Sequence, residues 1–278
     1  MALLVLAVPL GPPGQATAPP GQVTVVQALP GVAVDVSIDG RSVATGAGVG
    51  DLLGPFDLAP GEHDIEFTGA DDLRVASTLD VSAGASSDVV LHLPAEVDGD
   101  PVVHSYDAPT GPIGPDKARV VLAHTATVAP ADVEVDGTVV FTNIANGEFA
   151  EADVPAGTLE VALLPSGTKG APILGPLDVT LEGQTLSMIY AYGNPRDKSM
   201  NVISHTTTLS SDGAVVPNRI DTGSAGLVRS PVDTFGTRAD DDGPWPVVVL
   251  GLLAVGGTLS VVALRRRRAA DPPPPPAG

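Results

Sequence analysis

The sequence contains no cysteine, few aromatic residues and few basic ones, and each shortage narrows what the chain can be. Without cysteine there are no disulfides, no thiol nucleophile and no thiolate metal site. Lys and Arg number 14 against 33 Asp and Glu, and the resulting net charge of −19 repels nucleic acid and argues against binding it. With one Trp, three Tyr and five Phe, any folded unit must be held together by a largely aliphatic core.

Helical hydrophobic periodicity is also missing before residue 245. The apolar residues instead alternate with polar ones in short runs such as "ADVEVDG" (131–137) and "LDVTLEG" (177–183). Turn residues separate these runs, and the chain holds 32 Gly and 28 Pro. Short alternating segments between such turns predict an all-β, antiparallel sandwich fold.

The pattern occurs twice along the chain. "VTVVQALPGVAVDVSIDG" (23–40) corresponds to "ARVVLAHTATVAPADVEVDG" (118–137), and His104 falls opposite His205. The spacing stays near about 96 to 101 residues, which indicates duplicated domains rather than short solenoid repeats. We therefore expect two tandem Ig-like β-sandwich domains, at 21–113 and 116–207.

A membrane anchor is predicted at the carboxyl end. Residues 247–264 carry no charge, so 245–264 is long enough for one transmembrane helix. Trp245 suits the outer interface, and a run of arginines follows the apolar segment. Because positive charge favours the inner side, the domains should lie outside the cell and the tail 265–278 in the cytoplasm. The arginines that set this orientation are Arg265, Arg266, Arg267 and Arg268.

Two further segments complete the predicted organisation. Residues 1–20 resemble the apolar part of a signal peptide, although no basic residue precedes "MALLVLAVPL". We expect export, with either an upstream translation start or cleavage at another site. Residues 208–244 lack sustained periodicity and are expected to form a flexible stalk.

The two acidic Asp-Gly segments raise the question of a calcium loop. "VDVSIDG" (34–40) and "ADVEVDG" (131–137) supply oxygen ligands at alternate positions, as the first half of an EF-hand loop does. The Glu required at position 12 is replaced by Gly46 and Asn143, so the EF-hand fails and a hairpin turn is favoured. A looser cation site between loops stays open, and we assign no metal ligands.

Catalytic patterns are equally lacking. The five histidines form no H-E-x-x-H pair, and no G-x-S-x-G elbow occurs. His104 and His205 hold equivalent positions, either for a shared role or because duplication copied structural strand residues. We predict that the protein is not an enzyme and has no catalytic residues and no cofactor.

The motifs resemble those of the bacterial "domain of unknown function 4397" family. The second copy carries them as "ADVEVDG", "DVPAGTLEV" and "LDVTLEGQTLSMIYAYG", whereas the first departs at "LAPGEHDIEF" and in residues 41–55. The resemblance implies an exported or surface-anchored protein of a Gram-positive bacterium, and the composition suits an actinobacterium. It implies no catalytic residue.

We therefore expect a membrane-anchored surface protein that displays two β-sandwiches for adhesion, for envelope structure or for binding an extracellular protein or glycan. Its other partner is membrane lipid, through the one helix. A signalling accessory and a sortase-associated protein stay open as alternatives. Loops 41–55 and 138–151 are the candidate binding surfaces, and the candidate residues are Phe141, Asn143, Asn146 and Phe149. Core packing of the two phenylalanines is the competing interpretation.

Overall fold

The computed structural model describes residues 18–168, 170–211 and 267–268, and these residues form strands and turns without a helix. The all-β prediction is confirmed. The first eight strands are β1 (Gly21–Gln27), β2 (Val34–Ile38), β3 (Arg41–Ala47), β4 (Leu52–Leu58), β5 (Gly61–Gly69), β6 (Arg74–Val81), β7 (Ser86–His92) and β8 (Val102–Asp107). The next eight are β9 (Lys117–Ala126), β10 (Ala131–Val135), β11 (Thr138–Ile144), β12 (Glu148–Pro155), β13 (Gly157–Pro165), β14 (Leu174–Leu181), β15 (Thr185–Gly193) and β16 (Asn201–Thr208).

The strand order is the same in both halves. Outer sheet 1 has the order β3-β2-β5-β6, and inner sheet 1 has β4-β1-β7-β8. Outer sheet 2 repeats the first as β11-β10-β13-β14, and inner sheet 2 repeats the second as β12-β9-β15-β16. Each half is thus a sandwich of two four-stranded sheets. An immunoglobulin constant domain sets four strands against three, so the Ig-like part of the expectation stays a prediction.

The inner sheets are buried on both of their faces, because they also pack against each other. Successive residues of β1 and β7 show this: Val25 and Val89 belong to the core shared with outer sheet 1, whereas Val26 and Val90 belong to a core shared with inner sheet 2. A third core lies between inner sheet 2 and outer sheet 2. The four sheets therefore form four layers, and all described residues fall in one compact unit.

One strand pair in each half corrects the antiparallel prediction. β1 pairs with β7 in parallel, and β9 pairs with β15 in parallel. A parallel pair needs a long crossover connection, which the intervening strands of the opposite sheet supply in each half. Sequence alternation has a period of two in either direction, so it did not reveal the parallel pairing.

The Asp-Gly hairpin turns are confirmed. Asp39 and Gly40 connect β2 to β3 with φ angles of 51° and 71°, and Asp136 and Gly137 connect β10 to β11 with 49° and 73°. Two successive positive φ angles are the signature of a type I′ turn, in which the second position favours glycine. The duplicated acidic phrase of the sequence is therefore a strand followed by a tight turn.

The two predicted binding loops are mostly strand. Residues 41–55 contain β3 and most of β4, and residues 138–151 contain β11 and the start of β12. The loop prediction is wrong here, because β3 and β11 are exposed edge strands with little hydrophobic alternation. An edge strand pairs on one side only and needs no apolar pattern on its solvent side.

The predicted signal segment, most of the stalk, Trp245 and the transmembrane segment 245–264 lie outside the described residues. Among the residues that are described, no helix is long and apolar enough to cross a membrane. Arg267–Arg268 forms a short strand, β17, antiparallel to β12. The two arginines cannot pair with β12 and at the same time lie in a cytoplasmic tail on the other side of a membrane. A topology experiment distinguishes the two placements.

Candidate functional site: the interface between the inner sheets

The interface between the inner sheets brings equivalent positions of both halves into one core. Val26 and Val121 occupy matching positions of β1 and β9, and Val90 and Met188 occupy matching positions of β7 and β15. All four side chains are fully buried in the shared core, together with Tyr106 of β8. Burial of this apolar area stabilises the contact between the halves.

A buried carboxylate crosses this interface at one end. Asp88 of β7 is 2% exposed, and its Oδ2 accepts a hydrogen bond from the Tyr190 hydroxyl at 2.5 Å. The same oxygen lies 2.5 Å from His205 Nε2. Tyr190 and His205 are 102 and 117 residues away in the sequence, on strands of the other half. Burial, followed by the charge of Asp88, raises the pKa of Tyr190 well above its ordinary value.

A histidine pair lies at the other end of the interface. His92 Nδ1 is 2.7 Å from the carbonyl oxygen of Leu93, and His92 Nε2 is 2.8 Å from His104 Nδ1. A carbonyl oxygen only accepts, so His92 carries its proton on Nδ1, and its neutral Nε2 accepts from His104. Burial, and then the neighbouring His104, lowers the pKa of His92 to about 3.

Two buried side chains near this end have polar atoms without a hydrogen bond among the described residues: Tyr106 lies within the interface, and His124 lies on the face of β9 that carries Leu122, toward outer sheet 2. The atoms are both ring nitrogens of His124 and the hydroxyl of Tyr106. His124 is 1% exposed, and burial is the main cause that lowers its pKa. The backbone at His124 and Ala129 and the charge of Glu148 favour the protonated ring and offset burial in part. Burial alone raises the pKa of Tyr106.

The hairpin between β11 and β12 closes this end of the interface. Asn146 Nδ2 donates to the carbonyl oxygen of Leu93 at 3.1 Å and to that of Ala126 at 2.9 Å, so one side chain joins the two halves. Gly147 approaches His104 so closely that an added Cβ would stand 2.8 Å from Nε2. The Phe149 ring meets Tyr106 edge-on, with a centroid separation of 5.8 Å.

The predicted binding residues are thus placed in different environments. Phe149 and Asn146 belong to the interface between the halves, as described above. Phe141 is partly buried against the core of the second sandwich. Asn143 is exposed, and its backbone N–H donates to Asp132 Oδ1 at 2.7 Å. Core packing, the competing interpretation, therefore holds for Phe149 and in large part for Phe141.

The acidic residues of the two Asp-Gly segments bind backbone amides. Asp35 Oδ1 accepts from the Gly46 N–H at 2.8 Å, and Asp136 Oδ1 accepts from the Glu160 N–H at 3.0 Å. Asp132 accepts two such bonds, and Asp39 accepts one beside its contact with His63. These carboxylates therefore orient the neighbouring loops and strands.

The sequence indicated part of the interface but none of its pairings. It placed His104 and His205 at equivalent positions, and the registers Val90–His104 and Met188–His205 agree with that. It did not connect them with His92 and Asp88, because these contacts join strands through tertiary packing. The available signal was β15, "TLSMIYAYG", in which all nine residues are buried, since such a continuous apolar run indicates a strand covered on both faces.

The cluster combines a buried carboxylate, neutral histidines and tyrosine hydroxyls, and it lies within packed sheets. Such groups can fix the orientation of the two halves through hydrogen bonds whose strength depends on protonation.

Comparisons with known proteins find a family similarity that covers mainly the amino-terminal half. No curated protein matches the sequence. One similar solved structure is described as "a putative cell adhesion protein from Bacteroides eggerthii", with 8% identity, a TM-score of 0.20, and coverage of 71% of this chain and 98% of that chain. The family profile described as "Domain of unknown function (DUF4397)" matches residues 21–131, which include the first copy and the beginning of the second. This is the family that the sequence motifs resemble.

Proposed function

We propose that the protein is a non-enzymatic, membrane-anchored surface protein that presents a rigid double sandwich for adhesion or for binding an extracellular protein or glycan. The observation that carries the proposal is the core shared by the inner sheets. Fourteen buried residues from both halves form it, so the two sandwiches are held as one body. A body of this kind holds its surfaces in a fixed geometry, which lowers the entropy lost on binding.

The surfaces that this body presents outward are acidic. Glu62 and Asp80 face each other across β5 and β6, and Glu160 and Asp178 occupy the corresponding positions on β13 and β14. All four are exposed. Like charges directly opposite each other lower sheet stability, so their occurrence in both halves is better explained by solubility and surface recognition than by folding.

The location can be tested because the chain lacks cysteine. Two full-length variants, Ser42→Cys and Ala277→Cys, would be treated on intact cells with a membrane-impermeant maleimide. The proposal expects labelling of Ser42→Cys on intact cells, and labelling of Ala277→Cys only after the cells are lysed. Labelling of Ala277→Cys on intact cells would contradict the cytoplasmic tail and favour the pairing of Arg267–Arg268 with β12.

Adhesion is tested by attachment. A strain that lacks the protein would be compared with strains that express the full chain or a chain ending at residue 211, on surfaces coated with protein or glycan. We expect a several-fold loss of attachment that only the full chain restores. Equal attachment of all strains, with the full chain exposed at the surface, would refute the adhesive role.

A further inference from the structure

We propose that the interface between the inner sheets is a proton-sensitive release, in which protonation of the buried His92 favours separation of the two halves. The inference concerns the connection between the sandwiches and holds for any ligand that their surfaces bind.

Two histidine rings are buried at positions where water could not solvate a positive charge. His92 is fully buried and His124 is 1% exposed, and they are the fully buried histidines among the described residues. They come from opposite halves, on β7 and β9. His92 lies on the face of β7 that carries Val90, in the interface, whereas His124 lies on the face of β9 that carries Leu122, toward outer sheet 2. The charge of a protonated His124 also lowers the pKa of His92. A second proton on His92 would also convert its Nε2 from an acceptor into a donor facing His104 Nδ1.

The charged and titratable groups around them only partly offset this cost. His104 faces His92 from β8 and opposes its protonation, and Glu148 of β12 favours protonation of His124. Tyr106 lies beyond His104, with ring centroids 6.4 Å apart, and burial keeps its hydroxyl neutral. At the far end of the interface, Asp88 is already bonded to Tyr190 and His205.

The sign of the effect follows from these surroundings. Because burial lowers the pKa of His92 from 6.5 to about 3, the closed interface binds fewer protons than an open one. Stability of the interface is therefore full above pH 6.5 and falls as the pH drops below that value. For His92 alone, the ratio of open to closed molecules should rise about 100-fold between pH 8 and pH 4.5. Burial also lowers the pKa of His124, so acid destabilises the second sandwich at that position in the same direction.

The core of the first sandwich is formed by aliphatic residues and Phe, whereas the second sandwich also buries His124, on the face of β9 that carries Leu122. Acid therefore acts on the interface through His92 and on the second sandwich through His124. Separation of the halves and unfolding of the first sandwich are distinct events.

Thiol reactivity of the full chain can separate these two events. Val90→Cys places a thiol in the interface core, and Val36→Cys places one in the core of the first sandwich; both valines are at most 1% exposed. The rate of reaction with 4,4′-dithiodipyridine, which reacts in acid, measures how often each site opens. We expect the Val90→Cys rate to rise by about 100-fold from pH 8 to pH 4.5 and to stay above the Val36→Cys rate, because separation of the halves exposes Val90 without unfolding the first sandwich.

Replacing the histidines tests the cause. In a His92→Gln background the Val90→Cys rate should become nearly independent of pH, whereas His124→Phe, on the other face of β9, should leave most of the rise. His63→Gln, in a turn outside the interface, is the matched control and should leave the rise of the Val90→Cys rate intact. A Val90→Cys rate independent of pH in the unaltered chain, an equal rise with His92→Gln, or a Val36→Cys rate as high as that of Val90→Cys would overturn the proposal.

Discussion

At the scale of residues, the acidic side chains of the duplicated turns have acquired different partners. Asp39 Oδ1 accepts from the Asp64 N–H at 3.1 Å, and Asp136 Oδ1 accepts from the Glu160 N–H at 3.0 Å. Only the first copy adds a histidine, with His63 Nδ1 at 2.8 Å from Asp39 Oδ2 and His63 Nε2 at 2.7 Å from the Ala59 carbonyl. A protonated ring donates both bonds, so this turn has a pH response that its duplicate lacks.

Replacement of His63 by Gln should therefore lower stability mainly at acidic pH. The hydrogen bond to Asp39 is the main cause that raises the folded pKa of His63 above 6.5. Its contribution is complete below the unfolded pKa and is lost as the pH rises through the folded pKa. Melting temperatures of both proteins from pH 5.5 to 9 should differ most at the acidic end. Asp39→Asn, which removes the charge, should flatten the profile as well, and a difference independent of pH would refute this assignment.

At the scale of elements, the sequence was sufficient for the alternating strands and the Asp-Gly hairpins, but not for the edge strands β3 and β11 or for the packing between the inner sheets. The Asp-Gly turns and the alternation in β10 and β13 depend on neighbouring residues, so they could be predicted locally. The parallel pairing of β1 with β7 and the contact of Asp88 with His205 depend on how distant strands meet. Local sequence patterns do not report how distant strands meet. The exception is β15, where polar residues are too few to cover one face, which indicates a strand buried on both faces.

The β11–β12 hairpin illustrates such a contact, and Asn146→Asp tests it. The substitution replaces the amide group, which donates to the carbonyl oxygens of Leu93 and Ala126, with a carboxylate that cannot donate to either of them. Denaturant unfolding should show a loss of about 1–3 kcal/mol or more, because both acceptors lose their donor and face a negative charge. Asn201→Asp is the matched control: its exposed Oδ1 accepts from the Val202 N–H, which a carboxylate also does. Equal stability of both variants would show that Asn146 does not join the halves.

At the scale of the whole molecule, the described residues form one body from two sandwiches with the same strand order. Each half buries one face of its inner sheet against its own outer sheet and the other face against its partner. Val26, Val90 and Tyr106 lie on that second face in the first half, and Val121 and Met188 lie on it in the second. A half on its own would expose this apolar surface to water, and large contiguous patches of that kind promote association.

Fragments 18–115 and 116–211 should therefore be unstable as separate monomers. We expect each alone to self-associate or to unfold at a lower denaturant concentration than the full chain, since the shared core is lost. When the fragments are mixed at equal concentrations, sedimentation should detect a one-to-one complex. The stability of this complex should approach that of the full chain as the fragment concentration rises. A Val90→Asp, Met188→Asp pair of fragments supplies the control, because charges buried in the shared core should prevent the complex. If both fragments fold fully as monomers and do not bind each other, the two sandwiches are independent tandem domains.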